Sequence, residues 1–427
     1  MKKNRILAPA RILLPREGVD LSRWAVLACD QFTSQPDYWQ RVRDYVGDAP
    51  SCLDLILPEV YLNEPDIDRR IDAIHRAMAA AQADILTRAV DGFLFLRRTT
   101  ASGVREGLVA AVDLEQYSYA PGERPRIRPT ERTVTERIPP RLAVRRGAPL
   151  ECPHILMLAD DPENTLLGPL SAAADRSAPL YDTPLMLGGG RIAGWAVTDP
   201  ALIEGAIAAV EAFARRPGPD GQPPIALAVG DGNHSLATAK AWWEEVKKGL
   251  SPAAAADHPA RYCLVEIENI HDPAIRFEPI HRAVFGADAD ALPAEMTRFF
   301  AAQGAALRTG PQAADAGAAA QRFALLAGGR RLDCALTGSP APLCVGSIEA
   351  FLADWLPSYP GARVDYIHGE DSLAALAAAG AVGLLLPPFE KADLFRGVYL
   401  GGVLPKKTFS MGHAEEKRYY LECRAIL

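Results

Sequence analysis

The order of apolar runs along the chain predicts an α/β protein of the α+β type, with mixed sheets and additional α/β lobes. Short apolar runs of strand length, closed by Gly, Pro or Asp, alternate with longer segments of helical period. Two such runs at 93–97 and 108–114, separated by the turn-rich TTASG, point to an antiparallel pair. A length of 427 residues exceeds what one core supports, roughly 250 to 300 residues, so two or three domains are expected.

Taken in order, WAVLAC at 24–29 predicts a buried strand, which places Asp30 at a strand end beside the uncharged donors Gln31, Thr33 and Ser34. Residues 66–89 lack Pro and Gly and carry Ile71, Ile74 and Met78 on one helical face, with Asp68 and His75. Eight arginines fall between 121 and 146, the one markedly basic segment. They form either a solvated, ion-paired face or a phosphate contact. Residues 155–159 predict a strand, 200–215 a helix, 225–229 a buried strand and 235–250 a helix. A strand follows at 261–270, then alanine-rich helix with loops at 287–329 and a hairpin at 330–345. Returning strands are expected at 364–367, 383–386 and 398–402. The expected domains are an N-terminal α/β part of the core (1–120), a central part carrying the 230–235 loop (121–285), an alanine-rich inserted lobe (286–350), and a C-terminal segment returning to the core (351–427).

Composition excludes several classes. A net charge of −7 argues against a general nucleic-acid binder, because counterion-release affinity needs a basic surface. No apolar stretch reaches about 18 residues uninterrupted, so no membrane span is expected. The N-terminus lacks a signal-peptide pattern, and the seven cysteines are scattered and never spaced as CxxC. Neither a disulfide framework nor a zinc site follows from that spacing, and a reducing cytoplasm is the expected compartment.

The most informative segment is ALAVGDGNHSLATAK at 226–240, where a buried strand passes into a helix through two glycines. Gly230 and Gly232 let the backbone approach a ligand closely, and a helix N-terminus offers unpaired N–H groups and partial positive charge to an anion. Asp231 is suited to a magnesium ion or a proton, and His234 to a phosphate. The alternative is a plain cap by Asn233 or Ser235. Asp30 either caps the next helix or serves in catalysis. Near the C-terminus, Lys406, Lys407, Thr408 and His413 combine cations and hydroxyls beside Pro405, and either close over a site or form a solvated basic end. Glu151, His154, Asp160 and Asp161 read as structural rather than metal-binding.

The segments WAVLACDQFTSQPDYW (24–39), LILPEVYL (55–62), LECPHILMLADDP (150–162), VGDGNHSLATAKAWW (229–243) and LPKKTFSMGHAEEKRYYLE (404–422) resemble the bacterial family catalogued as domain of unknown function 1015. More distantly, the Asp-Gly-x-His element is similar to the signature of the ParB and sulfiredoxin superfamily, which includes nucleotide-binding partition proteins and free-serine kinases. That resemblance implies a ParB/sulfiredoxin-like core, ATP or ADP as nucleotide, and Mg2+. In such kinases an acidic residue at an N-terminal strand end acts as base on the substrate hydroxyl, and an Asp-Gly-x-His-Arg loop holds the phosphates. Asp231, Gly232 and His234 match the loop, and Asp30 matches the acid. The arginine expected after the histidine is Ser235 here, which can donate one hydrogen bond but supplies no guanidinium fork. The missing charge is expected from Lys240, the arginine-rich segment or the C-terminal lysines.

Together these residues imply a nucleotide-dependent phosphotransferase acting on a small hydroxyl-bearing metabolite, with free serine the first to test. Asp30, Asp231 and His234 are the expected catalytic residues, with Asp231 also the metal ligand. Gly230, Gly232, Asn233, His234, Ser235 and Lys240 are the expected nucleotide contacts. The other readings are a nucleotide-sensing regulator and a hydrolase of small phosphorylated metabolites. Partners are then a nucleotide and a small molecule, with no nucleic acid and no membrane. The sequence does not set the oligomeric state.

Overall fold

The computed structural model describes residues 5–405 and 407–427. It has mixed sheets and thirteen α-helices among the described residues, the α/β class expected. The chain divides into two compact units, one comprising residues up to Arg276 together with Gly412–Leu427, the other Phe277–Met411.

The first unit is built on a ten-stranded sheet whose main path runs Ile127–Arg128, Leu227–Asp231, Leu156–Ala159, Tyr262–Asn269, Gly103–Asp113, Arg88–Thr100, Gly190–Val197, Tyr181–Leu185. The predicted antiparallel pair is its centre: Leu94 lies opposite Val109 and Phe95 opposite Leu108. Phe93, Leu94, Phe95 and Leu96 are all fully buried, so both faces of this strand are covered. The strand Leu227–Asp231 lies near one edge, parallel to Ile127–Arg128 and antiparallel to Leu156–Ala159. Its register shifts between Val229 and Asp231, and such a bulge re-aims the side chain that follows it.

Several local expectations change. Residues 21–24 form a helical turn because Asp20 accepts a hydrogen bond from the Ser22 amide, which leaves only Val26–Leu27 as strand. The helix expected over 66–89 is Ile67–Asp84, since Arg88 onward is taken by the central strand. Residues 398–402 are not a strand. They lie at the end of the helix Lys391–Gly401, whose buried Leu394, Phe395 and Val398 follow helical spacing. The alanine-rich stretch is only partly helical, with helices Leu292–Ala302 and Pro311–Ala314 beside the strands Ala306–Thr309 and Gln321–Ala327.

The second unit carries a seven-stranded antiparallel sheet; the hairpin expected at 330–345 lies upstream, as Gln321–Ala327/Arg330–Thr337, and Cys344 already begins a helix. The helices Leu292–Ala302 and Cys344–Trp355 contribute Met296, Phe300, Ile348 and Phe351 to its core. Among the described residues, no helix is long and apolar enough to cross a membrane.

The last residues return to the first unit. Tyr419–Tyr420 pairs with Val26–Leu27 and Arg424–Ala425 with Leu150–Glu151, while the Trp24 indole donates to the Leu421 carbonyl at 2.8 Å. Buried Arg418 anchors this return through Glu266, at 3.1 Å, and Glu422. Removing one partner from a buried ion group strands the opposite charges. Arg418→Ala is therefore expected to destabilise the chain by about 3–5 kcal/mol in urea denaturation; an unchanged midpoint would mean that Arg418 does not hold the return.

Candidate functional site

The loop is set by backbone geometry first. Gly232 adopts φ 80° and ψ 27°, a left-handed conformation natural to glycine, and a Cβ there would lie 3.1 Å from the Ile155 Cα. It starts the helix Asn233–Lys247, which has no side-chain cap. The first amides of such a helix have no intrahelical acceptor, so the loop presents donors toward an anion. The Gly232 amide donates to Asp231 Oδ1 at 2.9 Å.

Beside this corner stands His154, delivered by the segment entering the strand Leu156–Ala159. Its Nε2 lies 2.9 Å from Ser235 Oγ and 3.5 Å from Asp30 Oδ2, and its Nδ1 is 2.6 Å from the Tyr420 hydroxyl. The Tyr420 hydroxyl donates in turn to Cys29 Sγ at 3.0 Å. Asp30 Oδ1 accepts from Gln31 Nε2 at 3.0 Å. Lys417, almost fully buried, places Nζ 3.1 Å from Asp231 Oδ2. Four distant parts of the sequence thus supply two carboxylates, an imidazole and an ammonium at one strand-to-helix corner.

Burial opposes ionisation of Asp30, but His154, Gln31 and Lys417 outweigh it and hold its carboxyl well below the usual carboxylate range. Burial likewise opposes protonation of His154, and the Asp30 charge outweighs it, raising the imidazole above its ordinary value. Each charge thus favours the other, the carboxylate on Asp30 and the imidazolium on His154. His234 behaves oppositely: burial, reinforced by Arg141 and Arg137, pushes it down to about 4. The neutral ring accepts from the Val134 amide at Nε2, 3.2 Å, which leaves its proton on Nδ1 as a donor.

A cavity of about 150 Å3 adjoins His154 and Ser235. Leu55, Leu57 and Leu264 give it apolar walls, and Glu59 and Arg141, ion-paired to each other, add opposite charges to its lining.

The sequence candidates separate. Asp30, Asp231, His234 and Ser235 lie at the corner with Gly230 and Gly232. Asn233 is there but turned inward, accepting from the Thr130 amide at 3.1 Å, so it pins the neighbouring segment. Thr33 and Ser34 are exposed in the turn after Asp30. Lys240 is two turns down the helix, about 10 Å along the axis at roughly 1.5 Å per residue, and pairs with Glu244 at 2.7 Å. Lys407 and Thr408 belong to the second unit, where the Lys407 carbonyl accepts from Arg282 and Thr408 donates to the Pro405 carbonyl. Lys406 lies outside the described residues. His413 begins a short helical turn in a capping box with Glu416.

Lys417 and Tyr420 stand in the 404–422 segment with no spacing that marks them, and His154, expected to be structural, lies at the corner. The signal for them was the ionisable Lys417 and the Pro153-His154 pair next to apolar runs, which spacing alone does not connect. Of the arginine-rich segment, Arg137 and Arg141 act electrostatically on His234.

The site also fits the groups the loop resemblance implies. The uncapped amides and the His234 Nδ1–H suit nucleotide phosphates. Asp231, with one oxygen on an amide and the other on Lys417, suits magnesium as the protein ligand of an ion held mainly by phosphate and water.

The depressed pKa of His234 has a defined consequence for stability. Because its folded value is lowered from 6.5 to about 4, the unfolded chain takes up the proton first as pH falls, and stability is lost between those values. Urea midpoints at pH 7 and pH 4.5 should drop less for His234→Gln than for the parent; equal drops would place the ring in water.

No curated protein matches the chain. Solved structures that resemble it include a free serine kinase in complex with AMP, at 12% identity and TM-score 0.38, covering 73% of this chain and 90% of that one. Others are SbnI with C-terminal truncation from Staphylococcus aureus, at 12% identity and TM-score 0.34, covering 71% and 82%, and a conserved hypothetical protein from Pyrococcus furiosus, at 13% identity and TM-score 0.34, covering 73% and 90%. At these identities and scores the chemistry of this chain has to be read from its own site. Residues 12–353 match the model of the family described as Protein of unknown function (DUF1015), well over half of the chain, and the protein belongs to that family.

Proposed function

We propose that the protein is a nucleotide-dependent phosphotransferase acting on a small hydroxyl-bearing metabolite. The observation that carries this reading is the meeting of an uncapped helix N-terminus with the Asp30–His154 pair, joined by the 2.9 Å contact of His154 to Ser235.

Phosphoryl transfer needs positioning, charge neutralisation and an acceptor for the hydroxyl proton. The amides of residues 233–235 and His234 Nδ1–H orient the phosphates of ATP or ADP. Lys417 supplies the cation that Ser235 cannot, from a position where it offsets charge on both Asp231 and Asp30. Asp30 accepts the hydroxyl proton at its carboxylate; His154 keeps it ionised and oriented. A magnesium ion, when bound through Asp231, would neutralise phosphate charge. The cavity beside Ser235 takes the metabolite, and its walls exclude water that would otherwise compete as acceptor.

Free serine is the first substrate to try, on the resemblance of the loop. The wall supports that choice: Arg141 suits a carboxylate and Glu59 an ammonium, once each exchanges its partner for the zwitterion.

Incubation with ATP or ADP, magnesium and serine should yield phosphoserine, followed by phosphorus NMR. Asp30→Asn should lower kcat by roughly 100- to 1,000-fold with little change in KM for nucleotide. Lys417→Ala should weaken nucleotide affinity as well as turnover. Tight nucleotide binding without product from any small hydroxyl compound would instead indicate a sensor, and release of inorganic phosphate from phosphorylated metabolites a hydrolase. Full activity in Asp30→Asn would sink the role given to that residue.

A further inference from the structure

Behind the cavity, three cysteines from distant parts of the chain converge. Cys52, Cys152 and Cys423 place their sulfur atoms within 4.8 Å of one another, with Cys152 Sγ and Cys423 Sγ 3.3 Å apart. The scattered spacing of the cysteines gives no sign of this convergence. The cluster is made by tertiary pairing, since the ribbon of Leu150–Glu151 with Arg424–Ala425 sets Cys152 opposite Cys423. Cys52 comes from the short turn Cys52–Leu55.

We propose that these three thiols hold one zinc ion. Zinc–sulfur bonds of about 2.3 Å put three sulfurs around one ion at about 3.8 to 4.0 Å from each other, inside the range observed, so small side-chain rotations suffice. The donor set is soft: only sulfur is offered, which selects zinc or a similar thiophilic ion and rejects magnesium. Charge is also matched. Three thiolates with one divalent ion leave one negative charge. Next to the cluster, Glu151 is shared by the guanidinium groups of Arg145, at 2.6 Å, and Arg424, at 2.7 Å, which leaves one positive charge. Cys152 lines the cavity and provides the entry path, while Cys52 and Cys423 are fully buried.

The ion would join three walls of the candidate site. Cys52 precedes the cavity-lining Leu55–Leu57 segment, Cys152 is two residues before His154, and Cys423 is three after Tyr420. This inference does not depend on the phosphotransfer reading.

The test uses the full chain, purified under reducing conditions and stripped with a chelator. Added zinc alone should bind at one equivalent per chain, and cobalt alone should give a thiolate-to-metal charge-transfer band. Cys52→Ser and Cys152→Ser should each weaken zinc binding roughly tenfold or more, whereas Cys263→Ser, at another cavity-lining cysteine, should not. The proposal is overturned if the unmutated chain gives no charge-transfer band with cobalt, if zinc stoichiometry is the same in Cys152→Ser, or if mass spectrometry of the isolated chain finds a Cys152–Cys423 disulfide. Because the cobalt spectrum is read on the unmutated chain, misfolding of a variant does not blur the outcome.

Discussion

The site depends on one buried imidazole. His154 reaches Ser235 at the head of the helix, Asp30 beyond the short strand Val26–Leu27, and Tyr420 from the C-terminal return, so its two ring nitrogens join three segments. A buried polar group of this kind is costly unless its partners are present, and that cost is what enforces the arrangement. Asp30 beside it favours the charged ring, and the ring favours the carboxylate, next to a corner whose first helix amides are uncapped.

That juxtaposition explains why the C-terminal segment has to come back to the first unit. Lys417 and Tyr420 stand at the corner, while between and after them Arg418 and Glu422 are locked into the buried charge group with Glu266. Anchor and working residues alternate along one short stretch, which fixes the lysine ammonium on Asp231 without a long, mobile side chain in water. At the corner where Ser235 follows His234, the nearby ammonium is that of Lys417, 3.1 Å from Asp231, and not that of Lys240, which pairs with Glu244.

What was legible in the sequence was local. The passage from 225 to 250 announced itself because a strand, a left-handed glycine and a helix are all encoded within one short window, and the pair at the sheet centre was legible from its two apolar runs and a turn. His154 was not, because its role comes from partners 81 and 266 residues away. The same holds for the three cysteines, whose scattered spacing gives no sign of the cluster that strand pairing brings together. The 24–29 run misled in a different way: it is apolar throughout, but Asp20 caps a helical turn that takes its first residue, so the strand is shorter than its apolar length. Residues 398–402 were misread because two apolar residues beside glycines match either period, and burial of Leu394 and Phe395 decides for the helix.

The claim on which the account turns is that the amides heading the helix Asn233–Lys247 hold a phosphate next to Asp30 and His154. A crystal structure with ADP tests it most directly. The account predicts a phosphate oxygen within hydrogen-bond distance of the amides of residues 233–235 and of Lys417 Nζ; an ADP phosphate group bound away from that corner, with the amides facing only protein, would contradict it.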